Sequence, residues 1–305
     1  MNCLVTGGAG FIGSHLSEAL LKEGYQVRVL DDLSTGKTDN LSGCFHKIDW
    51  IEGDICDMET VQRACQDVDA IFHHAALASV YQSCQDPVLT HEINVNGTLN
   101  LLEAARQNKV KKFIFVSSAA IYDANLTEAK HEKSPLNPLS PYAYSKLMGE
   151  MYCEMYAQLY GLSTVCFRYF NVYGARQNPD SPYSGVISIF IKALQKGLSP
   201  CVYGDGLQTR DFVHVSDVVQ ANLLALRNEA TGIFNVGTHQ SHTILQILEY
   251  LKTSADIEFK PARQGDPRHS LADITEITQK LGFHPRTLFS EGLAEVMKTT
   301  AEICL

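Results

Sequence analysis

Apolar and polar positions along the first 120 residues switch between two periods. Short, nearly continuous apolar runs at residues 2–6, 26–30 and 70–73 read as strands buried on both faces. Between and after them, residues 14–22 and 95–107 repeat apolar side chains at helical spacing. Residues 112–116 form another buried run, which ends at Ser117 and Ser118. A loop rich in Pro and Asn (134–141) then leads into a long helix over about 142–160, and 164–168 reads as the next strand. This βαβ rhythm predicts an α/β fold with a doubly wound parallel sheet.

From Asn171 onward the texture changes. Gly174, Pro179, Pro182, Gly204 and Gly206 break the pattern into shorter elements. The expected organisation is a dinucleotide-binding domain over 1–172 and a smaller C-terminal α/β substrate domain over 173–305. Residues 233–236 read as a strand that rejoins the large sheet, so the first domain should recover about 212–238.

The 305 residues are 45% apolar and 19% charged, an ordinary soluble composition. A net charge of −9 argues against nucleic-acid or anionic-membrane partners, which require a basic surface. The apolar start is rich in glycine and lacks a basic leader, and no segment has the length of a membrane span. The nine cysteines are scattered without a C-x-x-C pair. Reduced thiols in a cytoplasmic protein are therefore expected, with neither a disulfide frame nor a zinc site.

Thr6-Gly7-Gly8-Ala9-Gly10-Phe11-Ile12-Gly13 lies between the first strand and the first helix. It satisfies G-x-G-x-x-G from Gly8, in the strand–turn–helix setting that lets a helix N-terminus face a pyrophosphate. Asp31 follows Gly10 by 21 positions, at the end of the second strand. A carboxylate there binds the adenosine ribose and repels the extra phosphate of NADP, so the cofactor expected is NAD on a Rossmann sheet. Asp54 and Ile55, after another predicted strand, are expected to flank the adenine.

The second chemical signal is Tyr142-Ala143-Tyr144-Ser145-Lys146. A phenol and an ammonium four residues apart share one helix face. The Lys146 charge should pull the Tyr142 pKa down from its reference near 10, which suits a general acid or base. With Ser118 at a strand end, the three form a candidate oxidoreductase triad. His73 and His74 read as packing residues.

These motifs resemble the extended short-chain dehydrogenase/reductases, and within them the NAD-dependent nucleotide-sugar 4-epimerases. The resemblance runs nearly end to end. It rests on the glycine loop, Asn94-Val95-Asn96-Gly97-Thr98, Ser117-Ser118-Ala119-Ala120-Ile121-Tyr122 and Ser140-Pro141-Tyr142-Ala143-Tyr144-Ser145-Lys146. It continues through Arg168-Tyr169-Phe170-Asn171-Val172-Tyr173-Gly174, Thr209-Arg210-Asp211 and Arg263-Gln264-Gly265-Asp266-Pro267-Arg268-His269.

By that resemblance, Gly7, Gly10, Phe11, Ile12, Gly13, Asp31, Asp54, Ile55, Ala75, Asn94, Tyr142 and Lys146 contact NAD. Ser118, Tyr142 and Lys146 carry catalysis, and Ser118, Asn171, Arg210, Arg263 and Ser270 bind a UDP-sugar. Forked guanidinium groups suit a diphosphate in an acidic protein. Ser270 falls where these enzymes gate the C2 substituent, and a small side chain there leaves room for an N-acetyl group. The resemblance further implies a homodimer through a four-helix bundle built on the helices at 95–107 and 142–160, with apolar faces at Leu99, Leu102, Met148, Met151 and Met155.

Two positions qualify the match. Asp123 follows Tyr122 where glycine is usual, and its carboxylate is expected to face solvent. Related 4,6-dehydratases carry an acidic pair after the catalytic Ser or Thr, whereas this chain has Ala119 and Ala120, which cannot supply acid and base for water elimination. A nucleotide-sugar dehydratase or decarboxylase of the same family, and a non-catalytic NAD sensor, are the competing readings.

Overall fold

Apolar runs bounded by glycine turns set the order of the elements. The computed structural model describes residues 1–178, 185–253, 255–262 and 266–302, the side chains of 300–302 excepted. Its strands are β1 (Asn2–Thr6), β2 (Gln26–Asp31), β3 (Ile48–Glu52), β4 (Ala70–His73), β5 (Lys112–Ser118), β6 (Ser163–Tyr169), β7 (Asn171–Tyr173), β8 (Cys201–Tyr203), β9 (Thr209–His214), β10 (Gly232–Val236), β11 (Ser241–Thr243) and β12 (Glu258–Lys260). Its helices are α1 (Phe11–Lys22), α2 (Met58–Cys65), α3 (Val80–Gln85), α4 (Pro87–His91), α5 (Gly97–Gln107), α6 (Pro141–Tyr160), α7 (Val186–Gln195), α8 (Val215–Arg227), α9 (Ile244–Tyr250), α10 (Thr275–Leu281) and α11 (Phe289–Glu302).

Seven strands pair in the order β10-β6-β5-β4-β1-β2-β3. Every neighbouring pair in this sheet is parallel. This is the Rossmann-type sheet expected, and 233–236 does join it, at the edge beside β6. The strand order reverses between β1 and β4, which opens a crevice at their C-terminal ends where ligands of such folds bind.

The sheet is covered on both faces. One core gathers Val5, Leu16, Leu20, Val29, Phe167 and Phe234, and the other gathers Leu4, Val61, Leu101, Leu102, Phe113 and Phe115. A second, three-stranded sheet runs β11-β9-β7 around its own core of Tyr173, Phe190, Phe212, Ile247 and Phe289.

Helix α6 is fixed at both ends and along its buried side. Ser140 caps it by accepting from the Ala143 amide at 3.2 Å, Pro141 occupies the first turn, and Gly161 closes it in the left-handed region. Gly149 permits close approach to β5, because a Cβ there would collide with the Phe115 ring. The next residue, Glu150, makes a buried two-pronged pair with Arg168 of β6 at 2.9 and 2.7 Å. These contacts fix the helix that carries Tyr142 and Lys146 against the end of β5.

Candidate active site

The glycine loop is shaped by what its Cβ atoms would strike. Gly7 has φ +67° and backs onto the Ala75 amide, where a Cβ would come within 2.7 Å, and a Cβ on Gly13 would collide with the Gly7 carbonyl. At Gly10 the only such neighbour is the Gly7 oxygen at 3.1 Å, so this position is comparatively open. Helix α1 starts directly after Gly10 with no side-chain cap, three residues earlier than the apolar spacing predicted. Its first-turn amides at Phe11, Ile12 and Gly13 therefore face the loop, a cradle that fits a pyrophosphate.

Asp31 braces this loop. Its carboxylate accepts from the Ala9 amide at 2.9 Å and from the Leu33 amide at 2.9 Å. Burial pushes its pKa up, and those two amides oppose the rise. Asp54 accepts from the Cys56 amide at 2.8 Å, and Ile55 is buried against Gly97 of α5. Asn94 lies in a π-helical turn (Glu92–Asn96) and clamps the loop after β4. Its side chain pairs with both backbone groups of Leu77 at 2.8 and 3.1 Å, and donates to Ser145 of α6 at 2.9 Å. Asn94 thus ties the crevice wall beyond Ala75 to the helix bearing Tyr142 and Lys146.

Ser118 ends β5, and Tyr142 stands beside it in the first turn of α6. Lys146 is one turn further, 4% exposed, with Nζ donating to the Val116 carbonyl at 2.9 Å. Its ammonium sits 5.2 Å from the Phe115 ring centre and 5.9 Å from that of Tyr142. Burial lowers the Lys146 pKa to about 8.

The expectation for Tyr142 is corrected here. Burial raises its pKa above the ordinary value, and the Ser118 hydroxyl alone works against that rise. The Lys146 charge has no resolved effect on it. Helical spacing places the two groups correctly but does not report desolvation, which wins.

The residues expected to bind substrate lie on and around the small sheet. Asn171, exposed on β7, lies opposite Phe212 of β9, two positions along from Arg210. Arg210 forks onto the Thr209 carbonyl at 2.8 Å and the Asp266 carboxylate at 2.5 Å. Ser270 is buried, its amide held by the Thr209 carbonyl at 3.1 Å. A cavity of about 400 Å³ opens between the 124–127 loop, Asn137 and Leu139 on one side and Asp266, Arg268 and His269 on the other. Arg263 lies outside the described residues.

Other expectations resolve more simply. Asp123 is half-buried, and one of its carboxylate oxygens accepts from the Asn125 amide and side chain at 3.0 Å each in an exposed setting. His73 is a satisfied packing residue between Thr6 and Thr98, at 2.8 and 2.9 Å. His74 is held neutral, its pKa lowered by burial to about 3, and its buried Nε2 has no hydrogen-bond partner. The eight cysteines among the described residues are free.

The sequence reading missed Ser145, whose hydroxyl meets Asn94, and Arg176, which ties the segment after β7 to Ser14 and Glu18 of α1 at 3.2 and 2.7 Å. Ser145 lies inside the Ser140–Lys146 motif and Arg176 just beyond the motif that ends at Gly174, and the partners of both are distant in sequence.

The model of the NAD-dependent epimerase/dehydratase family matches residues 3–237. A putative UDP-glucose 4-epimerase of Methanocaldococcus jannaschii is 39% identical over 300 residues, covering 96% of each chain. A UDP-N-acetyl-α-D-glucosaminuronate decarboxylase of Bacillus cytotoxicus is 34% identical, covering 99% of this chain and 98% of its own. Among solved structures, the UDP-N-acetylglucosamine 4-epimerase from Methanobrevibacter ruminantium M1 in complex with UDP-N-acetylmuramic acid superposes with a TM-score of 0.95. It is 39% identical, and the match covers 99% of this chain and 98% of that one.

Proposed function

This chain belongs to the NAD-dependent epimerase/dehydratase family, and from that premise we propose that it is a 4-epimerase of UDP-hexoses. The substrates are the UDP-GlcNAc/UDP-GalNAc pair, the UDP-glucose/UDP-galactose pair, or both, and the reaction runs through a transient 4-keto sugar. The observation that carries this reading is the grouping of Ser118, Tyr142 and Lys146 at the crevice of the large sheet, with Ala119 and Ala120 next to Ser118. A proton-transfer pair is present, and no acid or base stands where elimination of water would require one.

The residues fit NAD: the cradle at Gly10, the amides of Phe11 and Ile12, the carboxylate of Asp31 and the wall at Ala75. When bound, NAD would supply a reversible hydride acceptor and, in its oxidised form, a positive charge that favours release of the Tyr142 proton. Ser118 binds the C4 hydroxyl, and Tyr142 takes its proton and later returns it. Lys146 orients the nicotinamide ribose. Asn171, Arg210 and Arg263 hold the diphosphate while the 4-keto sugar turns to present its other face. Ser270, small and buried, leaves room for a C2 N-acetyl group. In this division of labour residues 1–172, with about 212–238, hold the cofactor, and 173–305 hold the nucleotide sugar.

We also propose a homodimer. The face suited to it is Tyr144, Met148 and Met151 of α6, all exposed, beside Val80, Tyr81, Val88 and Leu89 of α3 and α4. Leu102 is in the core, and Leu99 and Met155 pack onto it, so those three serve the fold first. Sedimentation at micromolar concentration should read two chains, and a monomer there would refute the assembly.

Tyr142→Phe tests the catalytic role. It should lower turnover by roughly 10²–10⁴-fold while nucleotide binding persists. A variant that keeps its rate would remove Tyr142 from the mechanism, and a wild type that binds NAD yet turns over no nucleotide sugar would favour the sensor.

A further inference from the structure

Lys130 lies in the run Glu128-Ala129-Lys130-His131-Glu132-Lys133, which reads as a solvated face, yet it is only 2% exposed. Its backbone is bound along the segment that carries Ser270. The Lys130 amide donates to Leu271 at 2.8 Å, and its carbonyl accepts from the Asp273 amide at 2.8 Å. Its ammonium reaches back along the same segment to the His269 carbonyl at 2.8 Å. The other edge of that segment is held by β9, through Thr209 to Arg268 at 3.0 Å and Ser270 to Thr209 at 3.1 Å. Lys130 and Arg210 therefore flank the strip bearing Ser270 from its two sides.

The charges nearby do not cancel evenly. Arg210 is paired with Asp266, and Arg268 with Asp205. Lys130 makes no ion pair among the described residues. The groups that act on it are Arg210, which lowers its pKa after burial has done so, and Asp123, which works the other way. The Asp123 carboxylate is already engaged by Asn125. A buried ammonium held by one carbonyl lacks compensation. With Arg210 held by Asp266 and Lys130 beside it carrying no ion pair among the described residues, one buried positive charge is left over there, which suits an anion in a chain of net charge −9.

We propose that Lys130 is a second cationic anchor for the diphosphate of the nucleotide sugar, forming a two-cation seat with Arg210. The assignment rests on the nucleotide-sugar reading above and adds a residue to it. Lys130 then has two linked tasks, holding the strip with Ser270 in place and neutralising the anion that the sugar pivots on.

Calorimetric titration of the NAD-loaded protein with UDP, uridine, UDP-GlcNAc and UDP-glucuronate tests it. In Lys130→Met, affinity for UDP and for UDP-GlcNAc should fall about tenfold or more, as expected for a lost charged hydrogen bond, with uridine unchanged. Lys130→Arg, which keeps the charge, should recover most of that loss. Unchanged UDP affinity in Lys130→Met overturns the proposal. So does an equal loss for uridine, which would mark a purely structural role, or a loss confined to the uronate. Arg210→Met separates the two levels. If it weakens UDP while Lys130→Met does not, only this proposal fails. If the wild type binds UDP no better than uridine, the nucleotide-sugar reading itself fails.

Discussion

Lys146 carries a charge into a place with little water, and the cost of doing so can be measured. Its pKa is about 8 in the folded protein, against a reference near 10.4 for an exposed lysine. Below pH 8 both folded and unfolded chains hold the proton, and the folded state bears the full cost of burial. Between 8 and 10.4 only the unfolded chain holds it, so stability from this group rises with pH. Lys146→Met should therefore exceed the wild type in stability at pH 7, by at most about 3 kcal/mol. That gap should close as pH approaches 10. Urea midpoints across this range measure it, and a gap independent of pH would contradict the assignment. At this scale the sequence was legible in types and spacings: Ser118, Tyr142, Lys146, Asp31 and the glycines all stand where one crevice can use them. The direction of the Tyr142 shift was not legible, because desolvation depends on what β5 and the loop after β4 bring against the ring.

Helix α6 shows how one small residue sets the position of Tyr142 and Lys146. At an exposed helix site, Gly→Ala would gain about 0.8–1 kcal/mol in helix propensity. At Gly149 the added methyl meets the Phe115 ring, itself buried in the core. Overpacking costs of about 1–3 kcal/mol should win, and α6 should move away from β5. Gly149→Ala is thus expected to lower both the urea midpoint and turnover, whereas a stabilised variant of full activity would show that α6 can shift freely. Elements of this size were readable wherever a strong period ran unbroken. β1 and β4 match the apolar runs end to end, and α6 begins one residue earlier than its pattern suggested. α1 was read too short because its first turn is glycine-bounded and carries no apolar repeat.

Across the whole molecule, the large sheet was legible and the smaller sheets much less so. In the three-stranded sheet and the separate β12-β8 pair, every strand but β9 has three residues, too few to show a period. Contacts spanning long stretches of chain complete the site. The Tyr122 hydroxyl donates to Asn235 at 2.7 Å, Asn235 donates to the Lys130 and Asp273 carbonyls at 2.7 and 3.1 Å, and Thr209 bridges to His269. Asp211, fully buried, accepts from Thr238, His239 and Ala272 and so holds the segment beside Ser270 to β9. No local pattern announces such pairings, and only the motifs at their ends were visible. The central claim remains a redox-neutral inversion at C4. The most direct measurement is NMR of the product from UDP-GlcNAc, and separately UDP-glucose, deuterated at C4 and incubated with purified protein without added nicotinamide. The account predicts the C4 epimer with the deuterium still on C4. Deuterium moved to C6 with loss of water, or no inverted sugar even with NAD supplied, would contradict it.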